Sequence, residues 1–259
     1  MKDRVCLAIE KGIATLTLDR PERGNTIDLP MARALLEAAR HCDEDDAIRC
    51  VVITGRGRLF CGGGDIENFA QAGDSIESFL SELAAALHEA LSVLLRMKKP
   101  LVTLVNGAAA GAGLSLAIAG DIAIAARSAS FTAAYGALGL SPDGGMSWRL
   151  PRLVGMRLAQ DIILTNRRVT SEEAAAIGLV SRVVEDDALA EAGAKVAAEL
   201  AAAPTAALGA SRNLLLDSFE TPLEAQLERE ARSIASLGRS AETRASVAAF
   251  LARRSKIKN

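Results

Sequence analysis

Two glycine-rich segments carry the residue types with which this chain could do chemistry. Residues 60–66 read FCGGGDI and residues 105–113 read VNGAAAGAG, and each follows an apolar run typical of a strand. By pattern, each segment also opens into a helix. The first N–H groups of a helix are unpaired, and the helix dipole favours negative charge beside them. Two such turns that converge on one point could bind an oxygen that becomes an anion during a reaction.

The pair of turns is more informative than either turn alone. Glycine also serves tight turns and close packing, so a single glycine cluster says little about chemistry. Here Asp65 ends the first cluster and Asn106 begins the second. The combination favours a binding site for a developing oxyanion over two unrelated turns.

Strand-like and helix-like segments alternate in the first two thirds of the chain and would position both turns. Such alternation predicts a parallel sheet with helical crossovers. The predicted strands are residues 7–10 and 13–18 (a hairpin), 50–54, 101–105 and 122–126. The predicted helices are residues 28–42, 75–97 and 111–119, the second with a leucine stripe formed by Leu80, Leu83, Leu87, Leu91, Leu94 and Leu95.

Beyond about residue 185 the pattern indicates helices only. The predicted helices are residues 187–203, 205–217, 221–237 and 240–252. Thr221, Pro222 and Glu224 combine an N-cap, a proline at the first helical position and a capping-box glutamate. No low-complexity linker separates this helical part from the rest.

Composition narrows the class of protein. The 259 residues suit one domain or one domain with an appendage. A net charge of −2 shows no excess of basic residues of the kind that binds nucleic acid. Four cysteines without C-x-x-C spacing and only two histidines make a metal site unexpected. We expect a cytoplasmic protein, since the first residues show no apolar signal segment. The apolar run 101–120 is long enough to span a membrane, but Asn106 and its glycines favour a buried strand, turn and helix.

The order of motifs resembles the crotonase superfamily, also called the enoyl-CoA hydratase/isomerase family. The resemblance rests on residues 18–21 with Asn25, and on 51–55, 60–66, 105–113, 120–122, 138–145, 174–180 and 250–251. It implies an α/β fold: a ClpP-like spiral of ββα units over residues 1–200 that binds acyl-CoA. Residues 201–259 would form a C-terminal helical trimerisation region, giving a homotrimer or a dimer of trimers. The CoA thioester would be the substrate, with no cofactor.

The resemblance also implies roles for individual residues. The N–H groups of Gly64 and Ala112 would hold the thioester oxygen, and Asp65 would order the first turn. Residues expected around the acyl-CoA are Arg23, Gly62, Asp65, Ile66, Tyr135 and Phe250, the last reaching a neighbouring subunit together with a basic residue among Arg253, Arg254 and Lys256.

The sequence departs from the family where the hydratase branch carries its two catalytic glutamates. Those positions hold Ser115 and Tyr135, whose hydroxyls cannot act as bases near neutral pH. Asp143, in the segment 138–145 (LGLSPDGG), is the expected substitute. Pro-Asp-Gly is also a favourable turn sequence, so a purely structural role stays open.

Two branches of the family use an aspartate at this point. In the epoxyphenylacetyl-CoA and enoyl-CoA isomerase branch, whose pattern Pro-Asp-x-Gly-Gly is close to the Pro-Asp-Gly-Gly of residues 142–145, Asp143 would move a proton from C2 to C4 of an enolate. In the chlorobenzoyl-CoA dehalogenase branch, Asp143 would be a nucleophile and His88 the base of a hydrolase, with Tyr135 at an aromatic position. His88 could instead be a helix residue beside the leucine stripe. The glycines favour the isomerase, and hydration or a catalytically dead acyl-CoA-binding protein remain alternatives.

Overall fold

The computed structural model describes residues 4–257, with side chains as far as residue 252. Within these residues it contains nine strands and eleven α-helices. The strands are β1 (Val5–Glu10), β2 (Ile13–Leu18), β3 (Cys50–Gly55), β4 (Leu101–Val105), β5 (Ala109–Ala110), β6 (Ile122–Ala126), β7 (Ser130–Thr132), β8 (Val169–Thr170) and β9 (Arg182–Val184). The helices are α1 (Leu29–Glu44), α2 (Ile66–Ala72), α3 (Ile76–Arg96), α4 (Ala112–Ala117), α5 (Met146–Val154), α6 (Met156–Thr165), α7 (Ser171–Ala176), α8 (Leu189–Ala202), α9 (Thr205–Asp217), α10 (Leu223–Gly238) and α11 (Ala241–Ile257).

The larger sheet has six strands in the order β1-β2-β3-β4-β6-β9. The β1–β2 pair is an antiparallel hairpin, and every later pair in this sheet is parallel. Lys11 and Gly12 turn the hairpin with φ of 51° and 77°, the left-handed values that a tight hairpin turn requires. The predicted hairpin and the predicted parallel strands are both confirmed.

The smaller sheet has three short strands in the order β5-β7-β8. Strand β5 pairs with β7 in parallel, and an isolated parallel bridge between Cys61 and Ala109 connects it to the first glycine turn. This sheet was not predicted, because strands of two or three residues are too short to show a hydrophobic period. Its consequence is local: it brings the two glycine-rich segments side by side.

Helix α3 supplies one wall of the core. Leu83, Leu87, Leu91 and Leu94 are buried, as the predicted stripe requires, whereas Leu80 and Leu95 are only partly buried. By length and composition, the stretch Ile66–Arg96 could cross a membrane, a test that core helices of soluble proteins also pass. The run 101–120 folds as β4, a turn, β5 and α4, nearly all buried, so the predicted strand, turn and core helix are confirmed.

The four C-terminal helices lie where the sequence predicted them, with one correction at the start of α10. Its N-cap is Pro222, and no side chain caps the helix. The Thr221 hydroxyl donates instead to the Asp217 carbonyl at 2.9 Å, because a short helical turn at Ser218–Glu220 brings that carbonyl within reach. The predicted capping box at Thr221 is therefore wrong. Large apolar side chains of this part are exposed in the single chain: Leu215, Phe219, Leu223, Leu227, Ile234, Val247, Phe250 and Leu251.

Candidate active site

The first glycine turn is held by a buried asparagine. The Asn25 amide donates to the carbonyls of Arg56, Leu59 and Phe60 at 2.9, 2.8 and 3.2 Å, and its oxygen accepts the Arg20 N–H at 2.9 Å. Asn25 is 0% exposed and adopts a φ of 54°, a left-handed conformation that asparagine tolerates better than most residues. Asn25 therefore fixes the backbone that leads into the turn.

Asp65 follows that turn and caps helix α2. One carboxylate oxygen accepts the Glu67 N–H at 3.1 Å, and the other accepts Arg20 Nη1 at 2.6 Å, with Asp65 3% exposed. Burial opposes its ionisation, but the hydrogen bond and charge of Arg20, together with Arg23, outweigh burial and hold the pKa of Asp65 below its usual range. A carboxylate so paired suits the expected role of ordering the turn and is poorly placed to act as a base.

The second glycine turn lies against the first. Gly111 caps helix α4 with a φ of 52°. A Cβ atom built on Gly63 would lie 2.7 Å from the Ala110 carbonyl oxygen and 3.5 Å from the Gly111 Cα. Asn106 anchors the approach, since its side-chain oxygen accepts the Gly55 N–H at 3.0 Å. The two turns therefore meet, as the sequence pattern suggested.

The N–H groups of Gly64 and Ala112 both border one cavity. Among the hydrogen bonds between described residues, none uses either amide. Both residues line a cavity of about 400 Å³. Amides without a protein partner beside a cavity are free to bind a ligand oxygen. Their convergence on a single oxygen stays a prediction.

The walls of this cavity, which we call the acyl cavity, are mostly apolar. Its lining residues are Ile27, Gly62, Gly63, Gly64, Ile66, Phe69, Leu80, Leu83, Ala84, Leu87, Gly111, Ala112, Ala134, Tyr135, Ala137, Leu138, Leu140, Ser141 and Asp143. Asp143 is the one charged residue among these lining residues. An apolar wall with a single carboxylate suits an acyl chain that undergoes proton transfer.

Asp143 is held in the acyl cavity by neighbours that the sequence did not connect to it. The Tyr135 hydroxyl donates to Asp143 Oδ1 at 2.6 Å. Burial and the nearby Asp143 charge raise the pKa of Tyr135, so this hydroxyl remains a donor. The Ser115 hydroxyl and the Met146 N–H donate to the Asp143 carbonyl at 2.9 and 3.1 Å. Ser115 and Tyr135, which stand where the hydratase branch carries its glutamates, thus both hold Asp143 by hydrogen bonds.

His88 approaches Asp143 from the other side of the turn. Its Nε2 accepts the Gly144 N–H at 3.0 Å and lies 3.4 Å from Asp143 Oδ2. The His88 side chain is 49% exposed and lines a second cavity of about 350 Å³, together with Trp148 and Glu220. Unlike Asp143, it is not among the residues that line the acyl cavity.

Of the remaining residues expected around acyl-CoA, some line the acyl cavity and others do not. Gly62 and Ile66 line the acyl cavity, and Ile66 is 47% exposed. Arg23 forms a bidentate pair with Glu67 at the surface. Phe250 is 61% exposed on α11 and does not line this cavity in the single chain, and the side chains of Arg253, Arg254 and Lys256 lie outside the described residues.

No three histidine, cysteine, aspartate or glutamate side chains within the described part of the chain are grouped so as to hold a metal ion. The four cysteines are free thiols. Burial raises the pKa of Cys42 to about 11 and the pKa of Cys61 to about 12. These two thiols therefore stay protonated at neutral pH and are unsuited to metal binding or nucleophilic attack.

Comparison with known proteins places this chain in a family. The family model described as enoyl-CoA hydratase/isomerase matches residues 8–258. The 1,2-epoxyphenylacetyl-CoA isomerase of Escherichia coli K12 is 39% identical over 98% of each chain. A protein of Rhodobacter capsulatus named a probable enoyl-CoA hydratase is 42% identical over 95% of this chain and 94% of its own. The crystal structure of an enoyl-CoA hydratase from Polaromonas sp. JS666 superposes with a TM-score of 0.92 at 30% identity, covering 96% of this chain and 97% of that one.

Proposed function

The chain belongs to the enoyl-CoA hydratase/isomerase family, and we propose that within it the protein is an enoyl-CoA or epoxyacyl-CoA isomerase with Asp143 as its single acid–base group. The observation that carries the proposal is the position of Asp143 as the one charged residue lining the acyl cavity, with Oδ1 already held by Tyr135. The name of the Escherichia coli relative supports the epoxide as a second substrate class.

The first step is binding of the thioester oxygen by the N–H groups of Gly64 and Ala112. These hydrogen bonds gain strength as negative charge builds on the oxygen, and neither N–H group has a protein partner to give up. Stabilising the enolate makes the α-carbon more acidic. The two glycine turns therefore lower the barrier to removal of a proton from C2.

Asp143 carries that proton. The Asp143 carboxylate, held at Oδ1 by the Tyr135 hydroxyl, accepts the C2 proton of a 3-enoyl-CoA. The electron pair of the C2–H bond enters the enolate and then forms the C2–C3 double bond, while the π pair of the C3–C4 double bond takes the proton from the Asp143 carboxylic acid at C4. One carboxylate takes and returns one proton, so the reaction needs no second acid–base residue and no cofactor.

Hydration fits the site less well, although one relative is named a hydratase. Adding water across a double bond normally needs a second group to hold the water. The hydroxyls at the two family glutamate positions are already engaged, Ser115 with the Asp143 carbonyl and Tyr135 with its carboxylate. Without a second carboxylate in the lining, isomerisation is the better supported reaction.

A hydrolase with Asp143 as nucleophile is the second candidate, because His88 Nε2 lies 3.4 Å from Asp143 Oδ2. The base of such a hydrolase must deliver water to an adduct inside the acyl cavity. His88 lines the second cavity instead, and its Nε2 already accepts the Gly144 N–H. A protein that only binds acyl-CoA, the remaining alternative, would not need an oriented carboxylate.

Assembly into a homotrimer or a dimer of trimers, in the cytoplasm, completes the proposal. The exposed apolar side chains of α9, α10 and α11 support it, since α10 has no buried residue in the single chain. A second subunit would cover this surface and bring Phe250 near a neighbour's CoA. A stable monomer in light scattering at micromolar concentration would count against the assembly and against a shared CoA site.

The decisive experiment compares wild type with Asp143→Asn on a 3-enoyl-CoA, following the ultraviolet absorbance of the conjugated product. Asparagine preserves the shape of the turn but cannot take a proton, so kcat should fall by roughly 10²–10⁴-fold while acyl-CoA binding is retained. Asp187→Asn, the same change at an exposed aspartate, is the control. More than about a tenth of wild-type activity in Asp143→Asn would contradict the proposal, and so would a hydroxyacyl-CoA product from the wild type.

A further inference from the structure

The proposed isomerase leaves His88 without a role, and we propose that His88 is a positioning residue that holds the peptide unit between Asp143 and Gly144. It does so as a hydrogen-bond acceptor and transfers no proton. The inference rests on the proposed function, because it concerns how the acid–base group of that reaction is oriented. It separates His88 from the hydrolase base that the resemblance suggested.

The first support is the direction of the hydrogen bond. The Gly144 N–H can only donate, so Nε2 of His88 must present its lone pair at 3.0 Å. The ring is then neutral, with its proton on Nδ1. In this state Nε2 has no hydrogen to give to Asp143 Oδ2, and their 3.4 Å approach is a contact between two acceptors. The geometry therefore describes a bond to the backbone and not a histidine–aspartate proton relay.

The second support is that the same peptide unit is held at both of its ends. The carbonyl of Asp143 accepts the Ser115 hydroxyl at 2.9 Å, while the N–H of Gly144 donates to His88. A planar peptide group fixed at its oxygen and at its nitrogen cannot rotate. Because rotation about the Asp143 Cα–C bond (ψ) turns this plane relative to the rest of the residue, holding the plane limits ψ and with it the direction in which the side chain leaves the backbone.

The third support is that the turn needs such a restraint. We call this restraint the clamp, meaning the hydrogen bonds of Ser115 and His88 to the peptide unit between Asp143 and Gly144. Gly144 has a φ of 60° and is followed by Gly145 with a φ of 76°, so the turn is made of residues with wide conformational freedom. A Cβ atom built on Gly145 would meet nothing within 4 Å, whereas one built on Gly144 would lie 2.9 Å from the Ser115 Cβ, so side chains pack against the turn at Gly144 but not at Gly145. The Ser115 hydroxyl, as donor, and His88, as acceptor, add hydrogen bonds that restrain the peptide unit itself.

The position of the imidazole explains why it acts through the backbone. Its ring lines the second cavity, where the charged neighbours are Arg96, Asp217 and Glu220, and only the Asp143 turn separates it from the acyl cavity. A substrate in the acyl cavity thus meets Asp143, whereas His88 stays on the far side of the turn. Removing the acceptor should disturb the carboxylate and leave substrate binding unchanged.

The test compares His88→Gln with His88→Leu in the isomerisation assay. A glutamine oxygen can still accept the Gly144 N–H, whereas leucine has similar size and no acceptor. Misplacing a catalytic group lowers the reaction rate by up to roughly 10²-fold. We therefore expect His88→Leu to lower kcat by about 10- to 100-fold, with KM within about twofold of the wild-type value. His88→Gln should recover kcat to within about threefold of wild type, since only the acceptor is needed. Equal losses in both variants, or no loss in His88→Leu, would overturn the inference.

A second measurement keeps this inference separable from the proposed function. Hydrogen exchange of the Gly144 amide can be followed in the unliganded protein, where no reaction is required. Exchange should accelerate in His88→Leu and stay near the wild-type rate in His88→Gln, with thermal unfolding unchanged as a check on folding. An unchanged Gly144 exchange rate in His88→Leu would refute the clamp. An absence of isomerisation in the wild type would refute the proposed function alone.

Discussion

The glycines of the two halves of the site are there for different physical reasons. In the half proposed to bind the thioester, which we call the thioester-binding half, a Cβ atom on Gly113 would lie 2.2 Å from the Cys61 carbonyl oxygen, so no side chain fits. In the Asp143 half, Cβ atoms on Gly136, Gly139 and Gly145 would meet nothing within 4 Å. Gly139 and Gly145 instead adopt φ values of 71° and 76°. Gly113 therefore needs glycine for space, whereas Gly139 and Gly145 need it for backbone conformation.

This difference separates the half of the site that would bind the substrate from the half that would carry out the acid–base chemistry. The thioester-binding half presents backbone amides in a close-packed frame, where Asp65 is 3% exposed. The Asp143 half presents a side chain that is 33% exposed, on a turn held by a few hydrogen bonds. A chain can exchange side chains on the open turn without disturbing the packed frame. The fold can therefore keep its thioester site while the acid–base residues change.

Gly113→Ala gives the largest expected effect on the packed half. The new methyl group would overlap the Cys61 carbonyl, and backbone cannot move aside as a flexible side chain can. Overpacking commonly costs 1–3 kcal/mol, and for this overlap we expect about 3 kcal/mol or more, with poor soluble expression. Chemical unfolding measures the loss. Gly136→Ala is the matched control, since that site is open; equal losses in the two variants would erase the difference between the halves.

Asp65→Asn tests the buried ion pair that holds the first turn. Removing one partner leaves the Arg20 charge buried with weaker compensation, although Asp28 Oδ2 lies 3.4 Å from it. Breaking a buried pair typically costs 3–5 kcal/mol, and because Asp28 remains we expect about 3 kcal/mol. Asp74→Asn, a change at an exposed aspartate beside α2, should have little effect.

The Asp65 contribution should also depend on pH in a defined direction. The folded protein holds the pKa of Asp65 below its unfolded value of about 3.9. Its stabilisation is therefore fully present above about pH 4 and is lost as pH falls through the lower, folded value. Unfolding free energies of wild type and Asp65→Asn should differ at neutral pH and converge in acid. A difference that did not begin to decrease below about pH 4 would contradict this assignment, since the unfolded state takes up a proton at Asp65 there while the folded state still resists it.

The sequence predicted the frame of the fold well, because long elements carry their own signals. The Asp28 carboxylate caps α1 as expected, with Pro30 in its first turn, and the leucines of α3 face the core. The failures lie where structure depends on contacts between distant segments. Thr221 was assigned to a cap, but a turn formed at Ser218–Glu220 offered its hydroxyl a closer partner.

The site was predictable in its backbone and less so in its side chains. Glycine patterns located both turns, since each turn opens a helix next to a strand in the sequence itself. The hydrogen bonds that join Tyr135 and His88 to the Asp143 turn span 8 and 56 residues, respectively, and the second depends on how α3 packs. No local pattern encodes these bonds. The resemblance to the family was the one available signal: it marked Ser115 and Tyr135 at the glutamate positions and paired His88 with Asp143 in the dehalogenase branch.

Tyr135→Phe tests the hydrogen bonds of the open half. The change removes the donor to Asp143 Oδ1 and keeps the ring that lines the acyl cavity. A hydrogen bond to a charged group is worth about 1.5–3 kcal/mol, but water can partly replace it at this half-exposed carboxylate. We expect kcat to fall about tenfold with KM little changed, which corresponds to about 1.4 kcal/mol. Ser141→Ala, another lining hydroxyl, is the control and should stay near wild type.

Gly139→Ala should have the smallest effect on stability and completes the comparison. Alanine meets no atom there but must adopt a φ of 71°, and a left-handed conformation costs an L-residue about 1–2 kcal/mol. Asparagine tolerates this conformation better, so Gly139→Asn should be less destabilising than Gly139→Ala even though it is larger. In the packed half the order must reverse, because at Gly113 a larger side chain overlaps more of the Cys61 backbone. Thermal unfolding of Gly139→Ala, Gly139→Asn, Gly113→Ala and Gly113→Asn measures both orders. If asparagine destabilises the protein more than alanine does at Gly139, space and not conformation limits the Asp143 loop.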